Sequence, residues 1–391
     1  MSNVLQVVLR SSLRNSRNIG IAQFRLENIR TLFSAANLGI DKFIEVRENV
    51  RRQLGDISSK FKDKMQQYSN ESSTSMIFTE DLKNMIYLTN NDEDVQIVAQ
   101  MMKKFNQQNK QLRFGNFIFG PVVMRMFHVL NKPEEAISCF KSAELQGFFD
   151  QLMSYQILLD LLYENQKFNE MLEIFKSIQE KQLQGIKFPK NSVVLVLAAC
   201  YRLNTPESYD YAAKLWQELN EVGHQSMRRA ITFFAGLALN QGHPEQAIEI
   251  ISSCNNQNYT TIRNIKVSAL CDLGRVEDCI PLIKSVLNTD TPSQNTVQTF
   301  NKDVIEKVKA AIEKSNSDEL KSEMNRIEKF LQEEGHISQL TLDEQLCSEI
   351  STPRLQRNQG QQFRNQFGGF RQSRVQRSVG GLTRPGLSDI A

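Results

Sequence analysis

The sequence predicts an all-α protein, a solenoid of about six helix-turn-helix units closed by a helical cap at each end. Three observations predict it. A slim residue followed four positions on by a larger apolar one recurs six times, at Met101/Phe105, Ala136/Phe140, Met171/Phe175, Ala212/Trp216, Ala247/Ile251 and Cys279/Ile283. The steps between these pairs are 35, 35, 41, 35 and 32 residues. A turn rich in Asn, Pro or Gly precedes every pair: TNNDED, LNKPEE, ENQKFNE, LNTPES, NQGHPEQ and DLGRVED. Upstream of each turn stands a second apolar segment, from DLKNMIYL in the first unit to IKVSALCDL in the last. A helix pair this short cannot bury its apolar face alone, so a fixed period of such pairs means a stack.

The elements follow in order. Residues 1–40 read as a targeting segment, and 41–75 as an N-terminal helical cap and loop. Within the cap, DKFIEVRENVRRQLGDISSKFKDKMQQY is charged and helix-prone, and Thr79 is the expected N-cap of the next helix. The repeat array runs over 76–290. Pro133, Pro206 and Pro244 fall where a first helical position tolerates proline, because that N–H has no helical partner. Acids follow them, where the helix dipole favours negative charge. The slim column suits close helix approach, and the bulky column fills the space between units. Phe140, Phe175 and Trp216 are each expected to cost about 3–5 kcal/mol on truncation to Ala. The 41-residue step implies insertions at Gln182–Gln184 and in the NTPESYD turn. In the last unit Pro281 is reconciled with a helix if Asp278 caps it, which delays the helix start by about one turn. A C-terminal cap of two charged helices, near 301–315 and 317–334, occupies 291–350 after the linker NTDTPSQNT. Residues 351–391, rich in Arg, Gln and Gly, read as a disordered tail.

Charge is uneven along the chain. Residues 1–40 hold five Arg and one Glu, and residues 351–391 seven Arg and one Asp. With +4 and +6 at the ends, the total of +3 leaves −7 for 41–350. Overall charge is therefore a weak pointer to nucleic acid for the array itself. The longest wholly apolar run, Val193–Tyr201, is too short to cross a bilayer. The six cysteines make no C-x-x-C pair and read as reduced, partly buried small residues. The start, MSNVLQVVLRSSLRNSRNIG, places Arg10, Arg14 and Arg17 on one side of a helix and Leu5, Val8, Leu9 and Leu13 mostly on the other. An amphipathic, Arg-rich, acid-poor start has the composition of a mitochondrial transit peptide, with RTLFSA a plausible processing region and the matrix the expected destination.

Segment 154–190, SYQILLDLLYENQKFNEMLEIFKSIQEK followed by GIKFPK, resembles the pentatricopeptide repeat motif. Ser154, Tyr155, Leu158, Leu159, Leu162, Glu170, Leu172, Phe175, Gly185, Ile186 and Pro189 match it. ALCDLGRVEDCIPLI resembles the middle of the same motif. FIFGPVVMRMF, LQGFF, AACYRLNTPES, LALNQ and HISQLTLDEQLCSE resemble a small animal mitochondrial branch of that family. Tetratricopeptide signatures are missing. The resemblance implies a right-handed α-solenoid that binds single-stranded mitochondrial RNA, one base per repeat, through side chains of the first helices. Its first reading position falls here on Pro121, Gln156, Val194, Thr232 and Asn264. Gln156, Thr232 and Asn264 are the base-contact candidates. Phosphate-contact candidates are Arg125, Lys187, Lys190, Arg202, Arg228, Arg229, Arg263 and Lys266. The family is associated with RNA maturation and respiratory-chain function, which implies RNA-processing proteins as partners.

No enzyme is expected. A zinc deaminase needs H-x-E together with C-x-x-C, and the sequence holds no such set, because none of its cysteines makes a C-x-x-C pair. The acids after 300 lie at helical surface spacing with lysines between them, unlike a paired-metal nuclease site. No cofactor or metal is expected. A helical scaffold for a mitochondrial protein partner remains the alternative function.

Overall fold

The computed structural model describes residues 31–70, 73–112, 117–287, 298–315 and 317–350. Most of the expected transit segment, the linker NTDTPSQNT and the tail from 351 lie outside the described residues. The described chain is an all-α solenoid, with a single two-residue strand pair.

A short helix α1 (Ala35–Leu38) leads into α2 (Ile40–Leu54) and α3 (Ser58–Ser69). Six helix pairs follow. Their first helices are α4 (Thr79–Leu88), α6 (Gly120–Leu130), α8 (Leu152–Glu164), α10 (Lys190–Leu203), α12 (Arg228–Asn240) and α14 (Thr260–Asp272). Their second helices are α5 (Asp92–Leu112), α7 (Pro133–Lys141), α9 (Phe168–Lys181), α11 (Pro206–Glu221), α13 (Pro244–Ser252) and α15 (Val276–Leu287). Helices α16 (Lys302–Ser315), α17 (Asp318–Glu333) and α18 (Leu342–Leu346) complete the described chain, with β1 (Phe300–Asn301) pairing in parallel with β2 (Ile337–Ser338).

The first helices form one continuous row, each packed on the next from α4 to α14. The row extends at both ends, because α2 packs on α4 and α16 on α14, while α3 packs on α5 and α17 on α15. The flanking helix pairs thus stack as the repeat units do. All six slim positions, Met101, Ala136, Met171, Ala212, Ala247 and Cys279, are fully buried. Phe105, Phe140, Phe175, Ile251 and Ile283 of the bulky column are buried beside them. Trp216 departs from the column: it is half-buried, its ring 5.5 Å from that of Phe234. Its truncation therefore removes less buried area than that of Phe175.

The turns are built alike. Asn131, Gln166, Asn204, Gly242 and Gly274 take left-handed backbone in five successive units. In four of them the next residue's N–H donates back to a carbonyl five residues earlier: Lys132 to Phe127, Lys167 to Leu162, His243 to Ala238 and Arg275 to Leu270. This closure satisfies the last carbonyls of each first helix. Asn and Gly adopt the left-handed conformation at little cost, whereas Gln166 does not. Neighbouring turns are also joined, Asn165 Nδ2 donating to Asn131 Oδ1 at 2.7 Å and Gln241 Nε2 to Asn204 Oδ1 at 2.8 Å. Pro133, Pro206 and Pro244 open α7, α11 and α13 as the sequence predicts.

Two local expectations are corrected. Helix α4 begins at Thr79 itself, with the Asp81 carboxylate accepting the N–H of Phe78 at 3.1 Å. Helix α15 begins at Val276, so Pro281 lies inside it rather than in its first turn. Pro281 and Glu277 are both exposed, so water reaches the carbonyl that loses its partner.

Candidate nucleic-acid interface

A helix in an open groove should bury one stripe and expose another. Three first helices do not. Ser154–Tyr163 of α8, Ser192–Tyr201 of α10 and Ala230–Ala238 of α12 are buried without a break. Second helices and neighbouring units account for part of that burial. The remainder comes from two segments of the same chain laid across the row.

The C-terminal segment follows β2. Asn301 Nδ2 donates to the carbonyls of Leu340 and Thr341 at 2.9 and 3.2 Å, and the Leu342 N–H donates to Asp303 Oδ2 at 2.8 Å. Helix α18 then packs on α12 and α14. Arg229 donates to the carbonyls of Gln345, Leu346 and Ser348 at 3.2, 2.8 and 3.0 Å, and to Ser348 Oγ at 2.8 Å. Arg202 lies 3.7 Å from Asp343 Oδ2. Leu346 seats against Gly236 and Tyr201; a Cβ at Gly236 would stand 3.0 Å from an atom of each. That contact explains a glycine in mid-helix. Burial pushes the phenols of Tyr163 and Tyr201 up, with Cys347 and Asp343 adding to it.

The N-terminal segment completes the cover. Phe33 bridges Ile350 in parallel, the Ile350 N–H donates to the Leu32 carbonyl at 2.7 Å, and Asn37 Nδ2 donates to the Ile350 carbonyl at 2.8 Å. The Phe33 N–H donates to Asp160 Oδ1 at 3.3 Å, while Asp160 Oδ2 lies 3.1 Å from His128 Nε2. Burial holds the Asp160 carboxyl above the usual range, with His128 and Phe33 opposing that shift. His128, Asp160 and Glu164 offer three metal-type donor atoms within 4.8 Å of one another. Both Asp160 oxygens already take protein partners, and the group serves as the polar anchor of the N-terminal segment. Arg125 Nε donates to the Leu38 carbonyl at 2.7 Å, and burial lowers its guanidinium from the usual range.

The expected base-contact residues are buried within the array. Thr232 is fully buried, its hydroxyl donating to the Arg229 carbonyl at 3.0 Å. Asn264 is fully buried as well. Its Nδ2 donates to the carbonyls of Thr260 and Thr299 at 2.8 and 3.2 Å, and its Oδ1 accepts the Asn301 N–H at 3.0 Å. It thus anchors β1 rather than facing solvent. Gln156 is buried, accepting from Asn191 Nδ2 at 2.8 Å, and Val194 is buried too. All four side chains are buried. Arg125, Arg202 and Arg229 are held by the covering segments.

Five other cations lie at the edge where first helices begin. Lys187 and Lys190 flank the start of α10, Arg228 opens α12, and Arg263 and Lys266 lie in the first two turns of α14. Lys190 and Arg228 are exposed. The helix starts touch in sequence: the Phe188 ring lies 6.3 Å from His224, and Arg228 stacks 3.7 Å over the exposed ring of Tyr259. Lys187 also pairs with Glu218 at 3.2 Å, and Arg263 donates to Asn258 Oδ1 at 3.0 Å. A basic edge with an exposed aromatic ring suits phosphates and stacked bases.

Known proteins carry the same organisation in their names. The chain is 27% identical over 290 residues to pentatricopeptide repeat-containing protein 2, mitochondrial, of Xenopus laevis, covering 74% of each chain. The chain is similar to pentatricopeptide repeat-containing protein 2. The Mus musculus protein of that name is 29% identical over 272 residues, 70% of each chain. The Danio rerio one is 27% identical over 306 residues, 78% of this chain and 79% of its own. No family model matches the chain. The resemblance seen in individual repeat residues thus extends over most of the protein, and the helix pairs it implies are those described above.

Sequence reasoning missed the covering segments. The signal was present in VVLVLAACY, which is apolar on every face of its helix. A helix apolar all round is covered all round.

Proposed function

We propose that this protein binds single-stranded RNA along the edge formed by the starts of α10, α12 and α14, and acts in the mitochondrial matrix on the maturation, processing or stability of transcripts that support the respiratory chain. The observation that carries the reading is the run Lys187, Lys190, Arg228, Tyr259, Arg263 and Lys266 on successive first-helix starts of a pentatricopeptide-like array. Repeat spacing sets basic groups at regular intervals, as a phosphate backbone requires. The mitochondrial part rests on the names of the relatives and on the Arg-rich, acid-poor start. The protein carries no catalytic step in this reading, and RNA-processing partners supply any cleavage.

The test is a charge reversal with a salt series. Lys190→Glu with Arg228→Glu removes two phosphate contacts. The slope of log K against log salt for a single-stranded RNA should then shallow by about 1.4, at roughly 0.7 per contact. An unchanged slope and affinity rejects the edge. Crosslinking in isolated mitochondria followed by sequencing of attached RNA tests the wider reading, and no enriched transcript rejects it. A second reading, a scaffold for a protein partner, is favoured by one observation: the row of first helices already holds a short peptide segment of its own chain.

A further inference from the structure

We propose that the segment Leu340–Ile350, closed against Leu32–Leu38, is an autoinhibitory clasp that occupies the inner row of first helices in place of RNA and must leave for RNA to enter. The inference rests on the RNA reading above and concerns how that site is regulated.

The segment is acidic, and one of its carboxylates meets an arginine of the row. Residues 340–350, LTLDEQLCSEI, contain Asp343, Glu344 and Glu349 and no basic residue. The surface beneath it presents Arg202 and Arg229. Arg202 faces Asp343, the clasp's own carboxylate. Arg229 receives three backbone carbonyls and a serine hydroxyl, all oxygen acceptors and none charged. Among the described residues Arg229 and Arg125 have no carboxylate partner. A half-buried guanidinium with neutral acceptors alone is under-compensated, and phosphate oxygens would supply the missing charge. Burial and the neighbouring Arg228 hold the Arg229 guanidinium below its usual range, as that imbalance requires.

The clasp is fixed by hydrogen bonds at its two ends and a short helix between them. Its helix is five residues long, and its buried anchors are Leu346 and Cys347. Its end is held by Phe33, Leu32 and Asn37, which belong to a segment from the far terminus of the chain. Opening therefore separates the two covering segments without breaking any first-helix to second-helix contact. It would release Arg202 and Arg229 as phosphate contacts and uncover the face of α12 that carries Gly236. Asn264 stays bound to β1 in this opening.

The experiment uses the full chain, a labelled single-stranded 20-nucleotide RNA of mixed sequence, and its duplex as control, across a salt series. Leu346→Asp places a charge in the apolar seat. Gly236→Ala pushes the clasp from beneath without altering it. Asp343→Asn/Glu344→Gln/Glu349→Gln removes its charge without steric change, and decides the matter if the first variant fails to fold. Each should bind the single-stranded RNA about tenfold tighter than the parent. The two opening variants should steepen the salt slope by about 1.4, for two arginines at roughly 0.7 each. A parent that binds RNA and folded variants that bind it no tighter overturn the clasp and leave the RNA reading standing. No binding by the parent or any variant overturns the RNA reading, and the gate with it.

Discussion

Asp160 gives the sharpest test of how the N-terminal covering segment is tied to the array. Its carboxylate lies between the Phe33 N–H and His128 Nε2, at 3.3 and 3.1 Å, and both Asp160 and His128 side chains are essentially fully buried. Asp160→Ala removes the acceptor and leaves two donors in an apolar environment. Each orphaned donor costs roughly 1–3 kcal/mol, so the two together cost about 2–6 kcal/mol. Glu164 Oε1, 3.6 Å from His128 Nε2, takes up part of the imbalance and favours the lower half of that range. Asp160→Asn keeps the size and one carbonyl oxygen for Phe33. It also removes the carboxyl whose ionisation burial opposes, so its cost should be about 1–2 kcal/mol. Urea unfolding followed by circular dichroism measures both. The expected order is Ala far below Asn, with Asn slightly below the parent. An Ala variant within about 0.5 kcal/mol of the parent, the range of ordinary surface substitutions, would refute the anchor.

Four further outcomes follow from particular contacts. Phe175→Ala, at a fully buried site, should lose about 3–5 kcal/mol in urea unfolding, and half-buried Trp216→Ala clearly less; equal losses would deny the difference in burial. Ala212→Leu overfills a fully buried slim position and should cost about 1–3 kcal/mol by the same measurement. Gln166→Gly relieves left-handed backbone in the α8–α9 turn and should raise stability by about 1 kcal/mol, read as a higher melting temperature. Pro281→Ala restores an N–H inside α15 and should stabilise by about 1–2 kcal/mol, the helix gain of ~3 kcal/mol being offset in part by a freer unfolded chain; a destabilised variant would show that the ring is needed for packing.

The period of the array was legible because it rests on local chemistry. Turn residues, first-position prolines and the slim column are each fixed by backbone conformation or helix approach, and each falls where the sequence predicts. Pro281 misled because a proline suggests a helix start nearby, whereas Val276 and Ile280 pull the preceding turn into the core. The candidate site was less legible. Carrying the first reading position onto Thr232 and Asn264 assumed an open row, and the occupants of that row come from residues about 116 and 37 positions further on, near Ser348 and Asn301. No periodicity reports a contact of that kind. His128 and Asp160 were likewise invisible as a pair, since nothing local to either names the Phe33 N–H as the third member.

Charge distribution links these observations. The array and caps from 41 to 350 net −7, yet eight cations of first helices and their approaches can be assigned to two distinct sets. Arg125, Arg202 and Arg229 lie on the inner row and are satisfied from within by chain ends, chiefly by backbone oxygens. Lys187, Lys190, Arg228, Arg263 and Lys266 lie at the helix starts, outside the cover. The three guanidinium groups hold oxygens of the covering segments: Leu38 for Arg125, Asp343 for Arg202, and Gln345, Leu346 and Ser348 for Arg229. With the proposed clasp open, the same groups would meet phosphate oxygens. The edge set would then make first contact at long range, and the inner set would hold the RNA strand once the acidic segment has moved aside.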